Sequence, residues 1–161
     1  MIFMKIITGL FFLTLVVFFS CKKDKFTTEP QVTVKSISPD EVRQGTNGGF
    51  TIITLDAKYT DDDGDVDSVL IITKYYDADT ATYVDTSFRS SLGGLGLPPK
   101  TRQGDMTIQF EYNTNNSQGA YVGFPNVVSK DTTATLGLVL IDAANHRSNY
   151  SESSKIRLIA P

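Results

Sequence analysis

The stretch Met106-Thr107-Ile108-Gln109-Phe110-Glu111-Tyr112 decides the fold class of this chain. Apolar and polar side chains alternate along it, so that one set faces a core while Thr107, Gln109 and Glu111 face water. Three further segments repeat this period of two, whereas no stretch has a clear helical period. The predicted inward sets are Met106, Ile108, Phe110 and Tyr112; Ile53, Leu55, Ala57 and Tyr59; Leu136, Leu138 and Leu140; and Ile156 with Leu158.

Turn residues separate these segments, as expected for short strands that form two packed sheets. Asp77 to Thr82 predicts a hairpin tip, Asp142 to Arg147 predicts a last hairpin, and the glycines and prolines of residues 90–104 predict a long exposed loop. Val69 to Ile72 is apolar on both faces, which suits the middle of a sheet. We therefore predict an all-β fold, a single immunoglobulin-like antiparallel β-sandwich of about seven strands over residues 32–161.

Residues 1–20 have the organisation of a bacterial secretory signal peptide. Lys5 precedes an apolar run from Ile6 to Phe19, which is shorter than the roughly 20 residues that span a bilayer. The one cysteine follows in Phe18-Phe19-Ser20-Cys21, which resembles a relaxed lipobox. We predict cleavage before Cys21 and attachment of lipid to it. Acyl chains contribute ~0.8 kcal/mol per buried methylene, which gives a stable anchor.

Two alternatives to this signal are an uncleaved transmembrane anchor and a chance free thiol. The run is short for an anchor, and Lys22, Lys23 and Lys25 follow it at once, so both alternatives are disfavoured. Residues 21–31 then comprise the lipidated cysteine and a polar tether. The predicted partner at this end of the chain is the membrane, contacted through the lipid.

Composition limits what the mature chain contacts and how it is stabilised. Removing residues 1–20 takes away Lys5, which leaves 14 basic and 18 acidic side chains. This acidic balance gives no electrostatic basis for nucleic-acid binding. With Cys21 lipidated no disulfide can form, so stability depends on a packed core, which a single domain of this size can supply.

Two stretches, Ala57 to Val66 and Asp142 to Asn149, together resemble the Ig-like domains of Bacteroidetes surface and periplasmic lipoproteins. Those domains often pair an acidic D-x-D-G-D-[IV] turn with a late D-x-A-G-N-x-S-N hairpin, in which this chain has Ala144 where Gly is frequent. The resemblance implies a fold and a compartment but no reaction, because many members have no assigned activity. Lys22-Lys23-Asp24 is similar to export tags of this phylum, which implies an outer-membrane lipoprotein open to surface display.

The segment from Asp61 to Asp67 places five carboxylates within seven residues. Their mutual repulsion would be relieved by calcium, which an exported protein meets at concentrations that fill weak sites. It is not an EF-hand, because Gly64 comes too early and Ile72 occupies the position of the closing Glu. The predicted ligands are Asp61, Asp63, Asp65, Asp67 and the distant Asp142. The alternative is a solvated acidic turn in which Asp and Gly serve turn geometry.

Residues suited to catalysis are scarce, and we predict that the chain is not an enzyme. His146 is the only histidine, and its place in a turn predicts a solvated side chain rather than a ligand or base. A zinc hydrolase would need two or three histidines. A pair of catalytic carboxylates, as in glycosidases, is an alternative, but no sequence feature identifies which two residues would form the pair.

Two functional hypotheses remain from these observations. The first is a membrane-anchored, non-catalytic module for adhesion, scaffolding or ligand capture. The second is a glycan-binding or glycan-processing accessory lipoprotein of a polysaccharide utilisation system, for which the tyrosines supply aromatic rings. Strand tyrosines more often pack into a core with the hydroxyl at the rim. The ligand-binding candidates are Tyr75, Tyr76, Tyr83, Tyr121 and Phe124.

Overall fold

A computed structural model describes residues 28–43, 51–77, 79–95, 101–112, 122–123 and 129–160. The predicted signal peptide, Cys21, Tyr121 and Phe124 lie outside these ranges. The strands are β1 (Gln31–Ser38), β2 (Glu41–Arg43), β3 (Thr51–Thr60), β4 (Val66–Asp77), β5 (Thr82–Ser91), β6 (Gln103–Tyr112), β7 (Val122–Gly123), β8 (Thr132–Asp142), β9 (Ser151–Glu152) and β10 (Ile156–Ile159).

These strands form two sheets. The four-stranded sheet has the order β1-β3-β6-β7, and the six-stranded sheet has the order β2-β10-β8-β4-β5 with β9 paired to β8. Neighbours are antiparallel except β10 with β2 and β6 with β7. Seven of the described strands have four or more residues. The prediction of an all-β sandwich is confirmed.

The core lies between the two sheets and contains the side chains that the alternation selects. All of the predicted inward residues are buried, with none more than 3% exposed. β4 lies between β8 and β5, which explains the run Val69 to Ile72: Val69 and Ile71 face the core, while Leu70 and Ile72 are partly covered on the outer surface. Period-two burial of apolar area is thus the main force that assembles the sandwich.

Two expectations from the sequence are wrong. Glu111 was expected to face water, yet it is 2% exposed. At this position β6 has a neighbour on each side, since Glu111 pairs with Ile52 of β3 and with Gly123 of β7. The predicted loop of residues 90–104 is too wide. β5 continues to Ser91 and β6 begins at Gln103, because Ser91 completes a ladder with Ser68 of β4.

The predicted hairpin tip and last turn are in place. β4 ends at Asp77 and β5 begins at Thr82, with the Asp77 carboxylate accepting hydrogen bonds from the Asp79 N–H and the Thr80 hydroxyl, both at 2.9 Å. After β8 the chain turns at Asn145, which has a φ of 68°. Counted along the D-x-A-G-N-x-S-N pattern from Asp142, the glycine position is held by Asn145 rather than by Ala144. Asn tolerates the left-handed conformation, so this turn does not need glycine.

Candidate functional site

The acidic segment joins the two sheets. Asp61 follows the last residue of β3 in the four-stranded sheet, and Asp65 precedes β4 in the six-stranded sheet. Asp61 is fully buried, at 0% exposure. Its Oδ2 accepts a hydrogen bond of 2.8 Å from the Asp65 N–H, four residues further along the chain. The connection between the sheets therefore closes on a buried carboxylate.

Backbone contacts fix this turn. The Asp61 N–H donates to the Arg102 carbonyl at 2.7 Å, which ties the turn to the segment that leads into β6. Gly64 has a φ of 68°, and a Cβ there would lie 3.3 Å from the Arg102 backbone nitrogen and from its Cγ. Only glycine combines this left-handed conformation with so close a neighbour. The glycine of the acidic motif is thus explained by turn geometry.

Asp142 lies against the same turn, although it is distant in sequence. It pairs with Val66 in the β4–β8 ladder, and the N–H of Ala143 donates to the Asp65 carbonyl at 3.1 Å. Asp142 is 2% exposed, and its two oxygens accept hydrogen bonds from His146, from the backbone N–H at 2.7 Å and from Nδ1 at 2.8 Å. The structure brings the acidic turn and the last hairpin together, but both carboxylate oxygens of Asp142 already accept hydrogen bonds from His146.

His146 is not simply solvated. Its side chain is half exposed, but Nδ1 faces the buried carboxylate of Asp142, four residues before it in the turn. The sequence contains the signal for this contact, because an Asp that opens a tight turn commonly bonds the backbone a few residues on. The contacts with Asp142 therefore give His146 a structural role in closing the last turn.

Electrostatics at the acidic turn are unfavourable. Burial raises the pKa of Asp61 above its ordinary value, and the nearby charges of Asp65, Asp142 and Asp63 raise it further, while the hydrogen bond from the Asp65 N–H lowers it. Asp63 and Asp67 are exposed, and Asp67 lies 3.5 Å from Arg89 on β5. Of the five predicted ligands, the structure thus groups Asp61, Asp65 and Asp142.

Within the described ranges, no three carboxylate, imidazole or thiolate side chains already surround a common ion position. In the acidic turn itself, two carboxylate oxygens are buried without any hydrogen-bond partner, Oδ1 of Asp61 and Oδ1 of Asp65. Both belong to the turn that the sequence singled out.

The tyrosine candidates separate into different environments. Tyr75 is 7% exposed and packs in the core, so its assignment to a ligand surface is wrong; on β4 it points inward beside the outward-facing Tyr76. Tyr76 is 37% exposed and Tyr83 is 81% exposed. They are cross-strand partners on β4 and β5, with ring centroids 5.2 Å apart in an edge-to-face arrangement.

A third exposed tyrosine, Tyr150, was not among the candidates. Its ring lies on the outer surface of the six-stranded sheet, where a Cβ at Gly137 would be 2.2 Å from it. Lys74 Nζ lies 4.5 Å from the centroid of that ring, and Lys74 precedes Tyr76 by two residues on the same face of β4. We call Tyr76, Tyr83, Lys74 and Tyr150 the tyrosine face. Gly137 within an apolar strand was the signal for a ring lying on the sheet.

Polar contacts hold the charged side chains beside this face. Glu152 lies 3.5 Å from Lys74 and accepts a hydrogen bond of 2.6 Å from the Thr135 hydroxyl. That hydrogen bond, with further ones from Tyr150 and Lys74, lowers the pKa of Glu152. The tyrosine face therefore combines aromatic rings with a fixed cation and a fixed anion.

The outer surface of the other sheet is different in character. It carries an open depression of about 580 Å³ over β1, β3 and β6, with an ion pair of 3.5 Å between Lys58 and Asp105. Among the described residues its lining is polar, and the aromatic side chain there, Tyr59, is buried. The described part of this lining therefore presents no exposed aromatic ring.

The site and the fold define an all-β sandwich protein with a buried acidic turn at one end and an exposed tyrosine face. No family model matches the chain, and no curated protein matches it. Across the described ranges, no helix has the length and apolar character needed to cross a membrane.

Solved structures give low-identity likenesses. An alkylpurine DNA glycosylase from Pseudomonas fluorescens, bound to DNA containing an abasic site analogue, matches 83% of this chain with a TM-score of 0.45 and 11% identity. This chain spans 31% of that protein. The CARDB domain of a Pyrococcus furiosus protein, in complex with di-metal ions, has a TM-score of 0.36 and 11% identity over 89% of this chain and 98% of its own. Neither likeness assigns an activity here.

Proposed function

We propose that this chain is a lipid-anchored, non-catalytic module of the bacterial cell envelope that captures a ligand on its tyrosine face. The observation that carries the proposal is the Tyr76–Tyr83 pair, whose second ring is 81% exposed. Large aromatic side chains exposed together favour a partner surface, because burying them on binding supplies free energy at low conformational cost. Two sequence motifs, the acidic turn and the last hairpin, support placing this module among Bacteroidetes-type lipoproteins.

The anchor is the first part to test. The signal sequence and Cys21 support attachment of diacylglycerol to that thiol. We expect labelled fatty acid to be incorporated into the wild-type chain and the label to be lost in Cys21→Ser. A mutant that still takes up label and still fractionates with membranes would show that Cys21 is not the anchor.

The absence of a catalytic role is also a proposal. His146 is the one histidine of the sequence, and its Nδ1 is held by the buried Asp142 in the last turn. The sequence carries no recognised nucleophile motif, and a binding module needs none. We expect the purified chain to release no reducing sugar from any polysaccharide that it binds.

A second candidate function, glycan binding in a polysaccharide utilisation system, is favoured by the composition of the tyrosine face. Tyr83 presents an open ring on which the C–H face of a sugar can pack. Lys74 and Glu152 stand 3.5 Å apart in the same region and are suited to hydrogen bonds with sugar hydroxyls. The ligand on this hypothesis is a neutral polysaccharide.

Affinity electrophoresis distinguishes the two functions. The full chain in detergent is run through gels that contain defined polysaccharides, with Tyr83→Ala and Tyr76→Ala beside it. A matched control is Lys58→Ala, an exposed side chain on the opposite sheet. Melting temperatures establish that each variant is folded.

Retardation that is lost in the tyrosine variants and kept in Lys58→Ala supports glycan binding at the tyrosine face. Retardation that survives both tyrosine substitutions contradicts that location. If no polysaccharide retards the wild type, glycan binding is contradicted, and capture of an envelope protein is tested by crosslinking through a photoreactive residue at position 83. If no protein is crosslinked from position 83, or if Tyr76→Ala leaves the crosslink unchanged, the ligand-capture function itself is contradicted.

A further inference from the structure

The acidic turn contains two carboxylate oxygens that nothing in the described structure satisfies. Asp61 Oδ1 and Asp65 Oδ1 are both inaccessible to solvent and without a hydrogen-bond partner. The two residues are directly linked, since the Asp65 N–H donates to the other oxygen of Asp61 at 2.8 Å. Buried polar atoms are hydrogen-bonded in the great majority of native proteins, so a pair of orphans in one turn calls for a specific explanation.

No cationic side chain in the described part of the chain provides that explanation. Arg102 is the basic residue packed on this turn, and its guanidinium lies 3.8 Å from Asp62 rather than from Asp61. Arg89, the other nearby base, pairs with Asp67 on the outer surface. Burying a carboxylate without a counter-charge is costly, and a second carboxylate beside it adds repulsion. Among the described residues, none supplies the positive charge that this turn would accommodate.

The chemistry of the available donors selects the ion. All of the donors are oxygens, and the turn offers carboxylates and backbone carbonyls but no thiolate, which excludes a soft-metal site. Calcium accepts irregular sets of carboxylate, carbonyl and water oxygens, whereas magnesium demands near-octahedral geometry and gives up its waters reluctantly. Because only two orphan carboxylate oxygens are present, calcium would complete its shell with backbone carbonyls and water.

We propose that Asp61 and Asp65 bind one calcium ion through their Oδ1 atoms at the junction between the two sheets. This ligand set is narrower than the set expected from the sequence, because Asp67 faces Arg89 and both oxygens of Asp142 accept from His146. The ion ties the end of β3 to the start of β4. A site with so few carboxylates fits the weak class of extracellular modules, with a Kd of about 10⁻⁴ to 10⁻³ M.

The test is the melting temperature of the full chain in detergent, in millimolar calcium and in chelator, for three proteins. These are the wild type, Asp61→Asn and Asp67→Asn. Asp67→Asn is the matched control, because it removes the same charge from the same segment but from an exposed position. Because a bound ion stabilises the folded state in proportion to ln(1 + [L]/Kd), the wild type and Asp67→Asn should melt higher in calcium than in chelator.

The Asp61→Asn variant distinguishes a metal site from an acidic turn that binds no metal. Its amide keeps an acceptor for the Asp65 N–H but replaces the orphan oxygen, so the calcium-dependent shift should disappear. In chelator this variant should melt at or above the wild type, since the repulsion between Asp61 and Asp65 is relieved. Terbium luminescence, displaced by calcium in the wild type and absent in Asp61→Asn, gives a second readout.

Three results would overturn the proposal. These are an unchanged wild-type melting temperature in millimolar calcium, an equal shift in Asp61→Asn, or a shift produced as well by magnesium at the same concentration. The last result would indicate general screening of the acidic segment rather than a calcium site. None of these results bears on the tyrosine face, so the proposed function and this site are tested separately.

Discussion

The side-chain amide of Asn149 hydrogen-bonds both backbone groups of Val32. Its Oδ1 accepts from the Val32 N–H at 2.9 Å, and its Nδ2 donates to the Val32 carbonyl at 2.8 Å. Two residues on, the Ser151 hydroxyl accepts from the Val34 N–H at 2.9 Å. The Asn149 side chain thus supplies β1 with the backbone hydrogen bonds that a neighbouring strand would supply. It links the edge of the four-stranded sheet to the segment between β8 and β9.

Asn149→Ala should therefore destabilise the fold. Both Val32 groups would lose a partner at a partly buried position, and we expect a loss of about 2–3 kcal/mol in the free energy of unfolding. Urea denaturation measures it. Asn145→Ala is not a suitable control because of its positive φ, whereas Ser154→Ala in an exposed loop is suitable and should change stability by less than about 0.5 kcal/mol. An equal effect of the two substitutions would contradict the role of Asn149.

Gly64→Ala should destabilise the acidic turn for a reason that is independent of any ion. The φ of 68° costs an L-residue about 1–2 kcal/mol, and the added Cβ meets Arg102 at 3.3 Å. Denaturation in chelator isolates this effect from calcium binding. Gly93→Ala is the matched control, because a Cβ there meets nothing within 4 Å. Tolerance of alanine at both positions would show that the turn adopts another conformation.

Gly137→Ala should displace the ring of Tyr150. The new Cβ would lie 2.2 Å from that ring, so the ring must leave its place over Lys74. We expect a loss of about 1 kcal/mol, comparable to an aromatic or cation–π contact. In a Tyr150→Ala background the same substitution should be neutral or stabilising, since glycine weakens a strand interior. A double-mutant cycle measures this difference, and additive effects would contradict the contact.

Thr135→Val should change how stability depends on pH. The Thr135 hydroxyl is the main cause of the lowered pKa of Glu152, whose ordinary value is 4.5. A carboxylate with a depressed folded-state pKa contributes stability above its unfolded pKa, and this contribution is lost as the pH falls through the folded value. The free energy of unfolding of the wild type should therefore exceed that of Thr135→Val by the most near neutrality, and this difference should shrink below pH 4.5. A difference that is the same at every pH would contradict this account.

The sequence predicted the core better than the site, and the reason is physical. Alternation identifies which face of a strand is buried, so Phe110, Leu138 and Ile156 could be assigned without knowing their partners. It does not say which strands are adjacent. Alternation also does not show when a side chain on the outer face is covered, which is why the burial of Glu111 was not predicted. Tyr75 was misplaced because adjacent residues in a strand face opposite sides, so that Tyr75 points inward where Tyr76 points outward.

The candidate site depended on long-range pairing that one sequence does not reveal. The acidic turn and the late hairpin were both recognised as motifs, but their contact, through Val66 and Asp142, follows from the β4–β8 ladder. For the same reason, Tyr150 was missed. Its ring lies against Gly137, thirteen residues earlier on β8, where there is no side chain in its way.

The direction of β4 has a consequence for how the protein would stand on a membrane. β4 begins at Val66 beside the acidic turn and runs twelve residues to the hairpin that carries the tyrosine pair, a length of roughly 40 Å at ~3.3 Å per residue. Gln31, where the chain enters the sandwich, pairs with Thr60, next to Asp61. A chain tethered through Cys21, as we propose, would hold its acidic end toward the lipid headgroups and present Tyr76 and Tyr83 at the far tip.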